Sequence, residues 1–195
     1  MTNITLASAS GIRKKILQDF GFVVKVLPAN IDEQLIKDSL IKEDADSFHV
    51  SRALAELKAK KISTQNPDEL VLGADQVLDC EGKIYDKPKD LEDAKKLLLV
   101  LNNRKHSLFS SICLYKNGTN NWIHTERLDL TMRHYTENFF DDYLNKLGLD
   151  TIQRYGVYQI EGTGRQLFHK IEGDEYAVMG MPVKALIDFL ILNEK

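Results

Sequence analysis

The segment Leu70-Val71-Leu72-Gly73-Ala74-Asp75-Gln76-Val77-Leu78 decides how the rest of the chain is read. It is an apolar run of strand length, continuous rather than alternating, as expected of a strand covered on both faces in the middle of a sheet. One acid and one amide are set into its centre. An ionised carboxylate at Asp75 is costly to desolvate unless a cation or metal pairs with it. The strand therefore carries either a functional acid or one that faces solvent or pairs with a nearby lysine.

Working outward, Asp46 is a plausible cap, and Val50, Ala53, Leu54, Leu57 and Ile62 mark the apolar face of a long helix that ends before Asn66-Pro67. Farther upstream, Ile4 to Ala7 reads as a strand that exits through Ser8-Ala9-Ser10-Gly11 into a helix carrying Ile12, Ile16, Leu17 and Phe20. Phe22 to Leu27 is a second strand, and Ile31-Asp32-Glu33 reads as an acid-bearing loop at its exit. Downstream, Glu81-Gly82 turns the chain, Lys87-Pro88 breaks it, and Asp90 can cap a helix whose apolar positions include Leu91, Ala94, Leu97, Leu98 and Leu101. Two strands, Leu108 to Tyr115 and Trp122 to Met132, are joined through Asn117-Gly118, a strong hairpin signal. An amphipathic helix from Thr136 to Leu147 closes at Gly148, a glycine-punctuated stretch runs from Gly156 to Gly180, and Pro182 opens a last helix. The alternation predicts a mixed α/β architecture in a single domain spanning 1–195, with no linker.

Composition narrows the function. Of 195 residues, 43% are hydrophobic and 28% charged, and 26 Lys plus Arg against 29 Asp plus Glu leave a net charge of -3, so a broad nucleic-acid-binding surface is not expected and any anion site must be local. No segment reaches the ~18 apolar residues that span a bilayer, which leads to the expectation of a cytoplasmic protein with no membrane or nucleic-acid partner. The two cysteines, Cys80 and Cys113, form no CxxC and read as packed thiols.

Three groups of residues could carry chemistry. Ser8, Ser10 and Arg13-Lys14-Lys15 bring hydroxyls, free backbone N–H groups and cations to a helix start, which suits a phosphate. Equally, Ser10 could cap the helix while the cations form a solvated face. Asp75 with Asp32 and Glu33 supplies the oxygen ligands that Mg²⁺ or Mn²⁺ favour. Lys58 and Lys87 could add point charges toward a polyphosphate, or could simply be solvated at the surface. No serine elbow, Walker loop or histidine metal pattern occurs.

These segments together resemble the Maf family of nucleoside triphosphate pyrophosphatases. The resemblance rests on Leu6-Ala7-Ser8-Ala9-Ser10 with Arg13, Ile31-Asp32-Glu33, Ala55-Glu56-Leu57-Lys58-Ala59 and Leu72-Gly73-Ala74-Asp75. It continues through Asp86-Lys87-Pro88, Arg104-Lys105-His106, Gly156 to Gly164, and Gly173-Asp174 leading into Met179-Gly180-Met181-Pro182. It implies a bilobed fold similar to the inosine triphosphate pyrophosphatases, with an elongated mixed sheet flanked by helices and a cleft between lobes. It implies hydrolysis between the α and β phosphates to a nucleoside monophosphate and pyrophosphate, with Asp75 as proton acceptor. Ser8, Ser10, Arg13, Lys58 and Lys87 are expected at the phosphates. A divalent cation (Mg²⁺, Mn²⁺ or Co²⁺) is expected on Glu33 and Asp75. A homodimer, removal of modified nucleotides and a link to division arrest are further implications. A regulatory, septum-associated nucleotide-binding protein is the alternative.

The chain departs from the best-described Maf subgroups where they read Ser-Pro-Arg-Arg, Thr after the aspartate, and Gln in Tyr-Gly-Ile-Gln-Gly. Here stand Gly11-Ile12-Arg13, Gln76 and Glu161. The pattern is similar to an alphaproteobacterial branch, and the resemblance ties these positions to base preference. A carboxylate at Glu161 only accepts hydrogen bonds and so could read a base amino group, or it could pair with Arg165.

Overall fold

The computed structural model describes residues 2–193. The elements run β1 (Asn3–Leu6), α1 (Gly11–Asp19), β2 (Val23–Val26), α2 (Glu33–Lys42), α3 (Ser47–Gln65), β3 (Val71–Cys80), β4 (Lys83–Tyr85) and α4 (Leu91–Leu101). They continue with β5 (Lys105–Lys116), β6 (Thr119–Met132), α5 (Glu137–Leu147), α6 (Leu149–Tyr155), a 3₁₀ turn (Thr163–Leu167), β7 (Phe168–Glu172), α7 (Glu175–Val178) and α8 (Val183–Asn193). The strands form one sheet in the order β2-β1-β3-β5-β6-β7, with β4 paired to β3 off that path. β1 runs parallel to β2 and β3, and the remaining pairs are antiparallel. The mixed, helix-flanked sheet expected from the sequence is what the chain builds, with the decisive strand at its centre.

The edges of β3 explain the cleft. On one side β5 pairs with it continuously from Val71 to Asp79. On the other, β1 pairs only at Val71 and Leu72, and β4 only from Leu78 to Cys80. Residues 73–77 between them have no strand on that edge. The helices divide accordingly. Ile4, Leu6, Ile16, Leu17, Leu72 and Leu186 pack as one core, while Ala94, Leu98, Leu128, Phe140, Ile152 and Val157 belong to another. The cleft is the gap in the sheet edge between these two lobes.

Helix α3 packs across one face of β3, and its approach is set by Gly73. A Cβ built on Gly73 would lie 2.2 Å from the Ala55 carbonyl oxygen and 2.7 Å from Ala59 Cβ, so only glycine lets the helix come this near. Val71, Gly73, Asp75 and Val77 share that face by strand alternation. The same close approach brings Lys58, beside Ala59, onto Asp75. Two capping expectations hold: Asp46 accepts from His49 N at 2.9 Å and Asp90 from Asp93 N at 2.8 Å. The hairpin turns at Asn117 and Gly118 with φ of 49° and 70°.

The sequence reading differs from the fold at four segments, one of them the helix α6, which it left unassigned between Gly148 and Gly156. The acid-bearing stretch taken as a loop is a helix start: Asp32 accepts from Leu35 N at 3.0 Å and Glu33 is the first residue of α2. The helix buries none of its residues, which is why its periodicity was not evident. The strand β4 follows directly on the turn at Glu81-Gly82, and the glycine-punctuated stretch contains the 3₁₀ turn, β7 and α7. No helix among the described residues is long and apolar enough to cross a membrane.

Candidate active site

Nine of the residues singled out from the sequence line one cleft of about 820 Å³: Ser8, Ser10, Arg13, Glu33, Lys58, Asp75, Gln76, Lys87 and Glu161; Asp32, Lys14 and Lys15 do not. Its deepest polar group is Asp75, only 5% exposed on the uncovered edge of β3. Lys58 Nζ donates to Asp75 Oδ1 at 2.7 Å and lies 2.9 Å from Glu33 Oε1. The alternative of a solvent-facing acid at Asp75 is thereby removed, whereas pairing with a lysine is realised inside the cleft. Burial raises the Asp75 pKa above its ordinary value, opposed by the charges of Lys58 and Arg13 and reinforced by Glu33.

Arg13 braces the gap. Its Nη1 donates to the Ala74 carbonyl at 2.9 Å and to Ser8 Oγ at 3.2 Å, and its Nε to the Gly180 carbonyl at 3.0 Å. One guanidinium thus satisfies a carbonyl that the broken sheet edge leaves open and ties both flanking loops to it. Ser10 does cap α1, accepting from Arg13 N at 3.5 Å, and Ser8 Oγ accepts from Ser10 N at 3.3 Å. Of the three consecutive cations only Arg13 enters the cleft; Lys14 and Lys15 are exposed.

Gln76 points to the other face of the sheet. Its Nε2 donates to Ser110 Oγ at 2.7 Å and to the Val178 carbonyl at 2.9 Å, while Ser110 Oγ donates to the Ala177 carbonyl at 2.7 Å. These contacts of Nε2 fix the amide orientation and leave Gln76 Oε1 as the group's remaining acceptor. Lys87 donates to the Arg154 carbonyl at 2.7 Å, joining the Asp86-Lys87-Pro88 loop to the end of α6. The walls around Lys87, and then the charge of Arg13, lower its pKa. Glu161 is exposed and accepts from Gln159 Nε2 at 3.2 Å, while Arg165 pairs instead with Glu175 at 2.7 Å. The Glu161–Arg165 pair entertained from the sequence does not form.

The carboxylates can be tested for a cation by what already sits between them. The Lys58 ammonium lies within hydrogen-bond distance of both Glu33 and Asp75, so the two acids converge on one positive charge. No group of three or more His, Cys, Asp or Glu side chains suited to a metal occurs among the described residues. Two carboxylates are a donor set of the type Mg²⁺ takes from a protein, with Lys58 holding the space between them here.

Several cleft residues were not identified from the sequence. Lys37 and Asp86 form an ion pair across the opening, and Tyr85, Tyr155 and Tyr158 line its walls. Lys37 follows Glu33 by one helical turn, a spacing that carries meaning only once residues 33–42 are known to be a helix.

The profile of the Maf-like proteins matches residues 3–192. A protein of Pelagibacter ubique named nucleoside triphosphate pyrophosphatase is 47% identical over 187 residues, covering 96% of this chain and 96% of its own. A 7-methyl-GTP pyrophosphatase of Rhizobium etli is 37% identical, covering 94% and 92%. Among solved structures, the Ham1 protein of Staphylococcus aureus superposes with a TM-score of 0.51 at 18% identity, over 99% of this chain and 100% of that one.

Proposed function

This chain belongs to the Maf family, and from that premise we propose that it is a nucleoside triphosphate pyrophosphatase whose reaction is centred on Asp75. It hydrolyses the bond between the α and β phosphates, giving a nucleoside monophosphate and pyrophosphate. The observation that carries this reading is the convergence of Asp75, Lys58 and Glu33 at the uncovered edge of a central strand, with Arg13 beside them.

Hydrolysis at phosphorus needs an in-line water, a base to take its proton, and positive charge along the phosphates. Asp75 is the base. Burial raises its proton affinity, while Lys58 holds it in the charged form that accepts a proton. Arg13, Lys58 and Lys87 hold phosphate oxygens, helped by the Ser8 and Ser10 hydroxyls at the start of α1. Arg13 is the most firmly placed of the cations, because its other donors are fixed by backbone carbonyls. Glu33 and Asp75 would hold a divalent cation (Mg²⁺, Mn²⁺ or Co²⁺). When bound, that cation supplies charge neutralisation along the polyphosphate. Gln76 Oε1 and Glu161 face the base as acceptors. The homodimer belongs to the same reading, with exposed Ile191 and Leu192 near the end of α8 leaving apolar surface for a second copy.

The test is pyrophosphate release from a panel of ordinary and modified nucleoside triphosphates with each of the three metals. Asp75→Asn keeps the side-chain shape but removes the base, and turnover is expected to fall by about 10²- to 10⁴-fold with circular dichroism unchanged. Near-normal turnover by the folded variant removes Asp75 from this role. A wild-type protein that binds nucleotides yet releases no pyrophosphate is instead a regulatory binding protein.

A further inference from the structure

Helix α2 buries none of its residues, yet the Lys37 side chain is only 16% exposed, and it lines the cleft on the same side of the helix as Glu33. Its ion-pair partner is Asp86, whose carboxylate remains 47% exposed. Both residues line the cleft, the lysine side chain largely withdrawn from solvent and the carboxylate still half exposed. A half-solvated pair of this kind returns only ~1 kcal/mol or less, little reason to withdraw a lysine from solvent.

The neighbouring cations are occupied differently. Arg13 is held by the Ala74 and Gly180 carbonyls, and Lys58 by Asp75 and Glu33, all of them inner-wall contacts except Glu33. Lys37 alone of these three has its ion-pair partner in a solvated loop, the one that also carries Lys87. Lys37 stands one helical turn, about 5–6 Å, along α2 from Glu33, and Glu33 reaches the reacting end through Lys58. A phosphate chain with its α-phosphorus at Asp75 and its terminal phosphates running along α2 meets Lys37 beyond the bond that breaks.

We propose that Lys37 is a pyrophosphate-binding residue: it exchanges Asp86 for the terminal phosphates of the substrate and holds them as they leave. The proposal rests on the pyrophosphatase reading above and adds a residue to it.

Two variants separate this role from simple bracing of the loop, because Lys37→Met and Asp86→Asn both break the ion pair. With Mg²⁺ present, Lys37→Met is expected to raise KM for triphosphate and the inhibition constant of inorganic pyrophosphate about tenfold, as for one lost charge-assisted hydrogen bond, leaving inhibition by nucleoside monophosphate unchanged. Asp86→Asn frees the ammonium, so both constants stay at or below wild type. Equal losses in the two variants, or unchanged pyrophosphate inhibition in Lys37→Met, overturn the proposal. Calorimetric binding of pyrophosphate to wild type and Lys37→Met reads the same difference without turnover. Absence of turnover in wild type would thus count against the enzyme reading and leave the Lys37 comparison readable.

Discussion

The two walls of the cleft are built on opposite terms. The inner wall, formed by β3, α3 and the Ser8 loop, holds Asp75 at 5% and Lys58 at 7% exposure, bonded to each other. The outer wall, formed by α2, the Asp86 loop and residues 154–161, places Glu33 with half its side chain in solvent and leaves Glu161 exposed. Charges on the first wall act in a medium that screens them little, and those on the second are weakened by water but free to move. On the proposed assignment, Asp75 and Lys58 act where electrostatics are strong, whereas Glu161, proposed to meet the base, sits where a side chain can adapt.

The sharpest way to break this contrast is to remove the inner cation. Lys58→Met leaves the Asp75 carboxylate buried without its nearest partner, which is expected to cost about 3–5 kcal/mol of folding stability in denaturant titration and to abolish turnover. Adding Asp75→Leu removes the orphaned charge, so the double variant should recover most of that stability and remain inactive. If Lys58→Met is as stable as wild type, the inner wall is not held by this pair.

A second test moves to the sheet behind the cleft. His106 is 2% exposed, its Nε2 lies 2.8 Å from the Tyr158 hydroxyl, and its Nδ1 has no hydrogen-bond partner among the described residues. Burial pushes its pKa down to about 4, against the pull of Asp129. The unfolded chain, with an ordinary value near ~6.5, binds the proton first as pH falls. Stability is therefore fully present above about pH 6.5 and lost as pH falls toward about 4, by ~3 kcal/mol in all. His106→Gln cannot titrate and should lose about 2–3 kcal/mol less than wild type between about pH 7 and about pH 4.5. Equal losses in the two proteins would show that His106 does not carry that part of the pH dependence.

The same division governed what could be read without coordinates. The inner wall was legible because burial leaves a pattern: an apolar run with one acid, a long helix with an apolar face, a small-residue loop before three cations. Even there, the contact of Lys58 with Asp75 depends on the close approach at Gly73, which no periodicity reveals. The outer wall left a different trace: Glu33, Lys87 and Glu161 stood out through short motifs, not through a burial pattern. Helix α2 packs only the half-buried Ile36 and Leu40 against the core and exposes Leu35 and Ile41, so its apolar stripe is narrow and blurred, and Lys37 stayed hidden with it. The helices α6 and α7, at 7 and 4 residues, are too short for a period to be read, yet α6 supplies the Arg154 carbonyl and α7 the carbonyls that orient Gln76. Pairings such as Arg165 with Glu175 belong to tertiary structure and redirected the expectation for Glu161.

That redirection yields the smallest effect and the one that probes adaptability on the outer wall. With Arg165 engaged elsewhere, Glu161 has only the weak contact from Gln159 and no ion-pair partner among the described residues. A carboxylate presents acceptors alone, so a base edge that offers an exocyclic amino group is a better match than that of uracil, which has two carbonyls and only the ring N3–H as donor. The preference for ATP and CTP over UTP, measured as kcat/KM ratios, should therefore fall by about threefold to tenfold in Glu161→Gln, whose amide can present either a donor or an acceptor. The change should appear in KM more than in kcat, because the contact is far from the breaking bond and equally strong before and during reaction. A base profile identical in the two proteins would mean that the outer wall holds the base by shape alone, and would leave Gln76, whose amide is fixed from behind, as the acceptor to vary next.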